Sequence, residues 1–75
     1  MPRITPVHWR ELERVFLSAG FRFYREAAEH RSYVKPGMLR PVVIPMSAAV
    51  PVAIIRNSLK SAGVQKEDYF RLLGL

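Results

Sequence analysis

Phe21-Arg22-Phe23-Tyr24-Arg25-Glu26-Ala27-Ala28-Glu29-His30-Arg31-Ser32-Tyr33-Val34-Lys35-Pro36-Gly37 decides the fold, because here the apolar spacing changes from helical to alternating. Phe21 and Phe23 lie two apart, with Arg22, Tyr24 and Glu26 out of phase with them, which is the period of a strand with one buried face. His30 to Lys35 reads as a second strand, and Pro36-Gly37 as a turn. A third strand is predicted over Leu39 to Met46, around the β-branched run Val42-Val43-Ile44. Pro41 and Pro45 have no amide hydrogen to donate, so this strand belongs at an edge or is irregular at its ends.

Helical spacing flanks the strands on both sides. Thr5-Pro6 reads as a helix start, a capping hydroxyl followed by a proline with a suitable fixed φ. Trp9, Leu12, Phe16 and Ala19 then form one apolar stripe, Arg10, Glu11, Glu13 and Arg14 face mainly water, and Gly20 is the stop. Pro51 opens a second helix with the stripe Val52, Ile55, Leu59 and Ala62, ended by Gly63. Val64 to Leu73 reads as a short terminal helix that packs Tyr69, Phe70, Leu72 and Leu73. The fold class is α+β: a three-stranded antiparallel sheet with two helices on one face and a short C-terminal helix. The other sheet face is left open.

Composition bounds the function. A chain of 75 residues makes one domain, spanning 1–75, near the size at which a lone core supports folding. Without cysteine there is no disulfide, thiolate zinc site or thiol nucleophile. Two histidines and six acids show no metal-ligand spacing, and no glycine-rich phosphate loop occurs, so neither metal nor cofactor is expected. Lysine and arginine number 12 against 6 acids, a formal charge of +6 that favours polyanionic partners. The first residues do not read as a signal peptide, and the uncharged stretch from Pro41 to Ile55 is broken by Pro45 and Pro51; a cytoplasmic location and no membrane partner are expected.

The candidate chemistry centres on His30. Imidazole titrates near neutrality and can take and give a proton, while Arg25, Arg31, Lys35 and Arg40 stand near it in sequence as phosphate-binding cations. Strand alternation also places Tyr24 and Tyr33 among charged neighbours, where an exposed ring can stack on a base. Trp9, Phe16, Phe21, Phe23 and Phe70 read as core, and His8, in the first turn of the first helix, as structural.

Four segments resemble the HicA family of small toxin ribonucleases, the toxin halves of HicA/HicB toxin-antitoxin pairs. They are Leu12-Glu13-Arg14-Val15-Phe16-Leu17-Ser18-Ala19-Gly20-Phe21, His30-Arg31-Ser32-Tyr33, Val42-Val43-Ile44-Pro45, and Ile55-Arg56-Asn57-Ser58-Leu59-Lys60-Ser61-Ala62-Gly63 with Tyr69-Phe70-Arg71-Leu72-Leu73. The resemblance implies a double-stranded-RNA-binding-domain-like α-β-β-β-α fold, metal-independent cleavage of mRNA through the ribose 2′-OH, and a HicB-type antitoxin that blocks the active site. It places the catalytic histidine at His30. The family usually has Gly-Ser or a similar small pair before that histidine, and this chain has Ala28-Glu29. The loop Met46-Ser47-Ala48-Ala49-Val50 is less polar than the resemblance leads one to expect.

Two other readings use the same residues: an RNA-binding module of this fold that does not cleave, and a protein-binding module whose basic face docks an acidic partner. Direct DNA binding by this chain is not expected, because Tyr69 to Leu73 is mostly apolar where a recognition helix needs exposed polar groups.

Overall fold

A computed structural model describes residues 2–74. The elements run α1 (Trp9–Ser18), β1 (Arg22–Ala27), β2 (His30–Val34), β3 (Val42–Pro45), α2 (Val52–Ala62) and α3 (Lys66–Leu73). The sheet has the order β1-β2-β3 and both pairings are antiparallel. Leu12, Val15 and Phe16 of α1, Tyr33 of β2, Val42 and Ile44 of β3, Ile55 and Leu59 of α2, and Tyr69 and Phe70 of α3 meet in one core. Each large apolar side chain removed from water there contributes roughly 1.5–3 kcal/mol. This is the α+β layout that the periodicity predicts, an α-β-β-β-α order with a third, short helix.

Helix α1 starts at Trp9 and not at Pro6. Val7 is held extended by an antiparallel bridge to Val50, whose N–H donates to the Val7 carbonyl at 2.7 Å, and the Trp9 N–H donates to the Ser47 carbonyl at 3.0 Å. His8 is therefore the N-cap, its Nδ1 accepting the Arg10 N–H at 3.1 Å, a role that sequence reading gave to Thr5. The loop from Met46 to Val50 is the other half of this contact, through the Ser47 carbonyl and the Val50 N–H. At the other end α3 starts at Lys66, two residues later than the expected terminal helix, and Arg14 donates from Nη1 and Nη2 to the Leu72 and Leu73 carbonyls at 3.3 and 3.1 Å, joining α1 to its C-terminal turn.

Strand β1 breaks the expected alternation. Phe23 pairs with Tyr33 and Arg25 with Ser32, so Tyr24 is an extra residue on β1, a bulge that shifts the phase of everything after it. Glu26, expected opposite Phe23, consequently shares its face and pairs with Arg31. Phe23 itself sits at the rim, about half exposed, and is not a core residue. Strand β3 is shorter than Leu39 to Met46; the residues before it form a loop whose turn is closed by the Met38 N–H on the Lys35 carbonyl at 3.0 Å, with Leu39 wholly exposed.

β1 and β2 are joined by only Ala28 and Glu29, with φ of +50° and +64°. Two positive φ values in a two-residue hairpin loop are the signature of a type I′ turn, which asparagine and glycine enter readily. For residues with a Cβ the left-handed region costs roughly 1–2 kcal/mol each.

Candidate functional site

Paired residues on neighbouring strands share a face, so the two registers list what the open side of the sheet presents. Tyr33, Val42 and Ile44 are buried toward the helices. The opposite face therefore carries Arg22 and Val34 in one row, Arg25, Ser32 and Val43 in the next, and Ala27, His30 and Pro45 in the last. Among the described residues no helix covers this face, and Val43, on the edge strand β3, is half exposed.

His30 is exposed at the turn end of β2, and its ring is held: Nδ1 lies 2.9 Å from the Ala28 carbonyl. A carbonyl only accepts, so this bond forms when Nδ1 carries the hydrogen. Arg25 lies diagonally across from His30, a relationship that separates Cα atoms by about 7–8 Å and is spanned by a long side chain. The ion pairs among the described residues join Arg14 to Glu11, Arg31 to Glu13 and Glu26, and Arg71 to Asp68. Neither Arg22 nor Arg25 has an ion-pair partner among the described residues; Arg25 is one row from the imidazole and Arg22 two. An uncovered face with an imidazole, a hydroxyl and an unpaired guanidinium diagonal to the ring can exchange a proton with a nucleophile and hold phosphoryl oxygens.

The sequence-predicted residues do not all come together. His30 and Arg25 share the open face. Arg31 points the other way, with only 19% of its side chain exposed: its Nε is 3.0 Å from Glu13 Oε2, its Nη1 is 2.7 Å from Glu26 Oε1, and its guanidinium carbon lies 4.0 Å from the Phe23 ring centre and 5.3 Å from that of Trp9. Desolvation works against that charge, but hydrogen bonds with Tyr33 and Glu26 outweigh it and the pKa is raised. Tyr33, predicted to be an exposed stacking ring, is fully buried against Phe16 and Phe23, so it cannot stack on a base; its hydroxyl donates to Glu13 at 2.6 Å. Burial first, then the bond to Glu13, pushes the phenol far above its ordinary range. Glu13 is accordingly half-buried and bonded, not solvated as the helical stripe implies.

Lys35 lies past the far end of β2, where Nζ donates to the Ala19 carbonyl at 3.0 Å and caps α1. Arg40 is exposed in the β2–β3 loop, also at the end remote from His30. Tyr24 is exposed at the bulge. Arg22 and Ser32 also lie on the open face and are not among the sequence-predicted candidates, although Arg22 is out of phase with Phe21 and Phe23 and Ser32 follows His30 by two. A cleft of about 460 Å³ between Ile4, α2 and the start of α3 contains none of the candidate residues. The His30 site is a flat face, suited to an extended substrate and not to an enclosed small molecule. Among the described residues no three His, Asp or Glu side chains gather around a common point, and no helix is long and apolar enough to cross a membrane.

A family model described as the HicA toxin of bacterial toxin-antitoxin matches residues 9–64 of the 75-residue chain. The matched span begins at the first residue of α1 and ends just after α2, so it contains the whole sheet and His30. No curated protein matches the chain significantly.

Proposed function

The chain belongs to the HicA toxin family of bacterial toxin-antitoxin systems, and from that premise we propose that it is a metal-independent endoribonuclease that cleaves mRNA with His30 as its acid-base group. The observation that supports this most is the setting of His30: an imidazole whose Nδ1 lies 2.9 Å from the Ala28 carbonyl, on the sheet face that no described helix covers, diagonal to Arg25, which has no ion-pair partner among the described residues.

The ribose 2′-OH of the substrate is the nucleophile. Its proton passes to Nε2 of His30 as the 2′-oxygen bonds to phosphorus and the bond from phosphorus to the 5′-oxygen breaks; the leaving oxygen takes its proton from water. Arg25, with Arg22 farther along the face, balances the charge that grows on the phosphoryl oxygens. The Nδ1–H to Ala28 bond becomes charge-assisted as the ring turns cationic. One positioned acid-base group contributes about 10²–10⁴-fold to the rate. A HicB-type antitoxin neutralises the toxin by covering the same open face, and the site of action is cytoplasmic.

The chemistry of the products tests the mechanism. RNA cut in excess EDTA is expected to yield fragments with 2′,3′-cyclic phosphate and 5′-hydroxyl ends. Fragments with 5′-phosphate ends, or cleavage that stops on chelation, contradict it. Retained RNA binding with no cleavage at all favours a binding module.

A further inference from the structure

We infer that the Ala28–Glu29 turn is a positioning device that clamps His30 as its Nδ1–H tautomer and leaves Nε2 as the single ring atom that exchanges protons on the open face. The inference deepens the reading of His30 as catalytic and, for its consequence in the reaction, rests on it.

Three observations carry it. Ala28 and Glu29 both occupy the left-handed region, at φ of +50° and +64°, although neither is the glycine or asparagine that a type I′ turn favours. Such a conformation persists only where its surroundings impose it. Both turn carbonyls are engaged from outside: the Ala28 oxygen by His30 Nδ1 at 2.9 Å, and the Glu29 oxygen by the Met46 N–H, from just beyond β3, also at 2.9 Å. The turn is thus braced by the third strand on one side and closed by the Ala27–His30 pair on the other. Its one remaining acceptor is aimed at the ring.

Which ring nitrogen of a histidine carries the hydrogen is set by what the other one meets. Free neutral histidine favours hydrogen on Nε2, the wrong tautomer for a base whose Nε2 must accept. His30 has no other recorded hydrogen-bond partner among the described residues, so the Ala28 carbonyl alone fixes the choice. A backbone acceptor does so without adding a carboxylate to a face that has to receive a polyanion. The Met46 bond makes the end of β3 part of the same device: a shift of β3 moves the Glu29 carbonyl, the turn and the ring together.

The ring nitrogens of the 15N-labelled chain, read by long-range proton–nitrogen correlation at about pH 8.5 where imidazole is neutral, test this without RNA. The expected result is a pyrrole-like Nδ1 and a pyridine-like Nε2 for His30. A predominant Nε2–H form overturns the inference whatever the chain does to RNA. Kinetics extend the test. The double variant Ala28→Asn, Glu29→Gly keeps the turn type and its carbonyls, and is expected to keep the Nδ1–H tautomer; its loss there overturns the inference. Inserting one glycine between Ala28 and Glu29 is expected to shift His30 toward Nε2–H and lower the cleavage rate at saturating RNA by about 10²-fold, with KM little changed. An inserted variant that is folded, has lost the Nδ1–H form and still cleaves at the native rate also overturns it. If the native tautomer is as expected while His30→Ala cleaves normally, the reading of His30 as the acid-base group fails and the ring geometry stands.

Discussion

The Tyr33 hydroxyl donates to Glu13 Oε2 at 2.6 Å, joining the middle strand to α1. The same carboxylate oxygen receives Arg31 Nε at 3.0 Å, and Arg31 reaches on to Glu26 of β1. One polar chain therefore binds helix, middle strand and first strand on the covered side of the sheet. Because side chains alternate along β2, Arg31 and Tyr33 anchor the strand from beneath while His30 and Ser32 face outward.

Removing Glu13 leaves a buried hydroxyl and a mostly desolvated guanidinium short of an acceptor. Glu13→Ala is expected to destabilise the fold by about 2–3 kcal/mol, whereas Tyr33→Phe, which leaves the Arg31–Glu13 pair intact, is expected to lose about 1 kcal/mol. Urea denaturation of the two variants and their double mutant measures the coupling. Equal, near-zero losses contradict the anchoring role.

Burial raises the pKa of Tyr33, seconded by its bond to Glu13, and burial raises that of Tyr69, seconded by the charge of Glu11. The fold thus keeps both phenols protonated while an unfolded chain ionises them near pH 10. Their stabilising effect is complete below that pH and is lost above it, at about 1.4 kcal/mol per pH unit for each tyrosine. Stability measured against pH is expected to fall from about pH 10 upward, and less steeply in Tyr69→Phe. The Tyr69 hydroxyl is buried and has no hydrogen-bond partner among the described residues, so that variant is also expected to match or exceed the native stability at neutral pH, by up to about 1 kcal/mol.

The strained turn gives a third expectation. Ala28→Asn with Glu29→Gly removes two side chains from a conformation they disfavour, partly offset by the greater freedom of glycine in the unfolded chain. A net gain of about 1 kcal/mol is expected in thermal or urea unfolding. Destabilisation contradicts the turn geometry.

Much of the architecture was legible because it rests on periodicity: the stripe of Leu12 and Phe16, the β-branched run of β3, and Pro51 and Gly63 at the ends of α2 all fall where the spacing puts them. The site was legible only in part. His30 and Arg25 share the open face, but no local signal marks the bulge at Tyr24, and beyond it alternation assigns Glu26 to the wrong side. Tyr33 looks exposed in sequence because Arg31 and Lys35 flank it, but Arg31 is its partner and Glu13, which takes its hydroxyl, lies twenty residues away, a tertiary contact. The late start of α1 has the same origin, since Val7 is claimed by Val50.

The two arginines next in line to the histidine are expected to behave differently. Arg25→Ala should leave stability unchanged, weaken RNA binding and reduce the slope of log affinity against log salt by about 1. Arg31→Ala should instead lose about 2 kcal/mol of stability, because Glu13 and Glu26 are left facing each other without a cation. RNA titrations at several salt concentrations, beside urea curves, separate the two roles; a common phenotype contradicts the assignment of faces.

The most direct measurement is single-turnover cleavage of RNA in excess EDTA by the native chain and by His30→Ala, with circular dichroism showing both folded. The account requires cleavage by the native chain and a loss of about 10²–10⁴-fold in the variant, with RNA binding retained. A folded His30→Ala chain that cleaves at the native rate contradicts it.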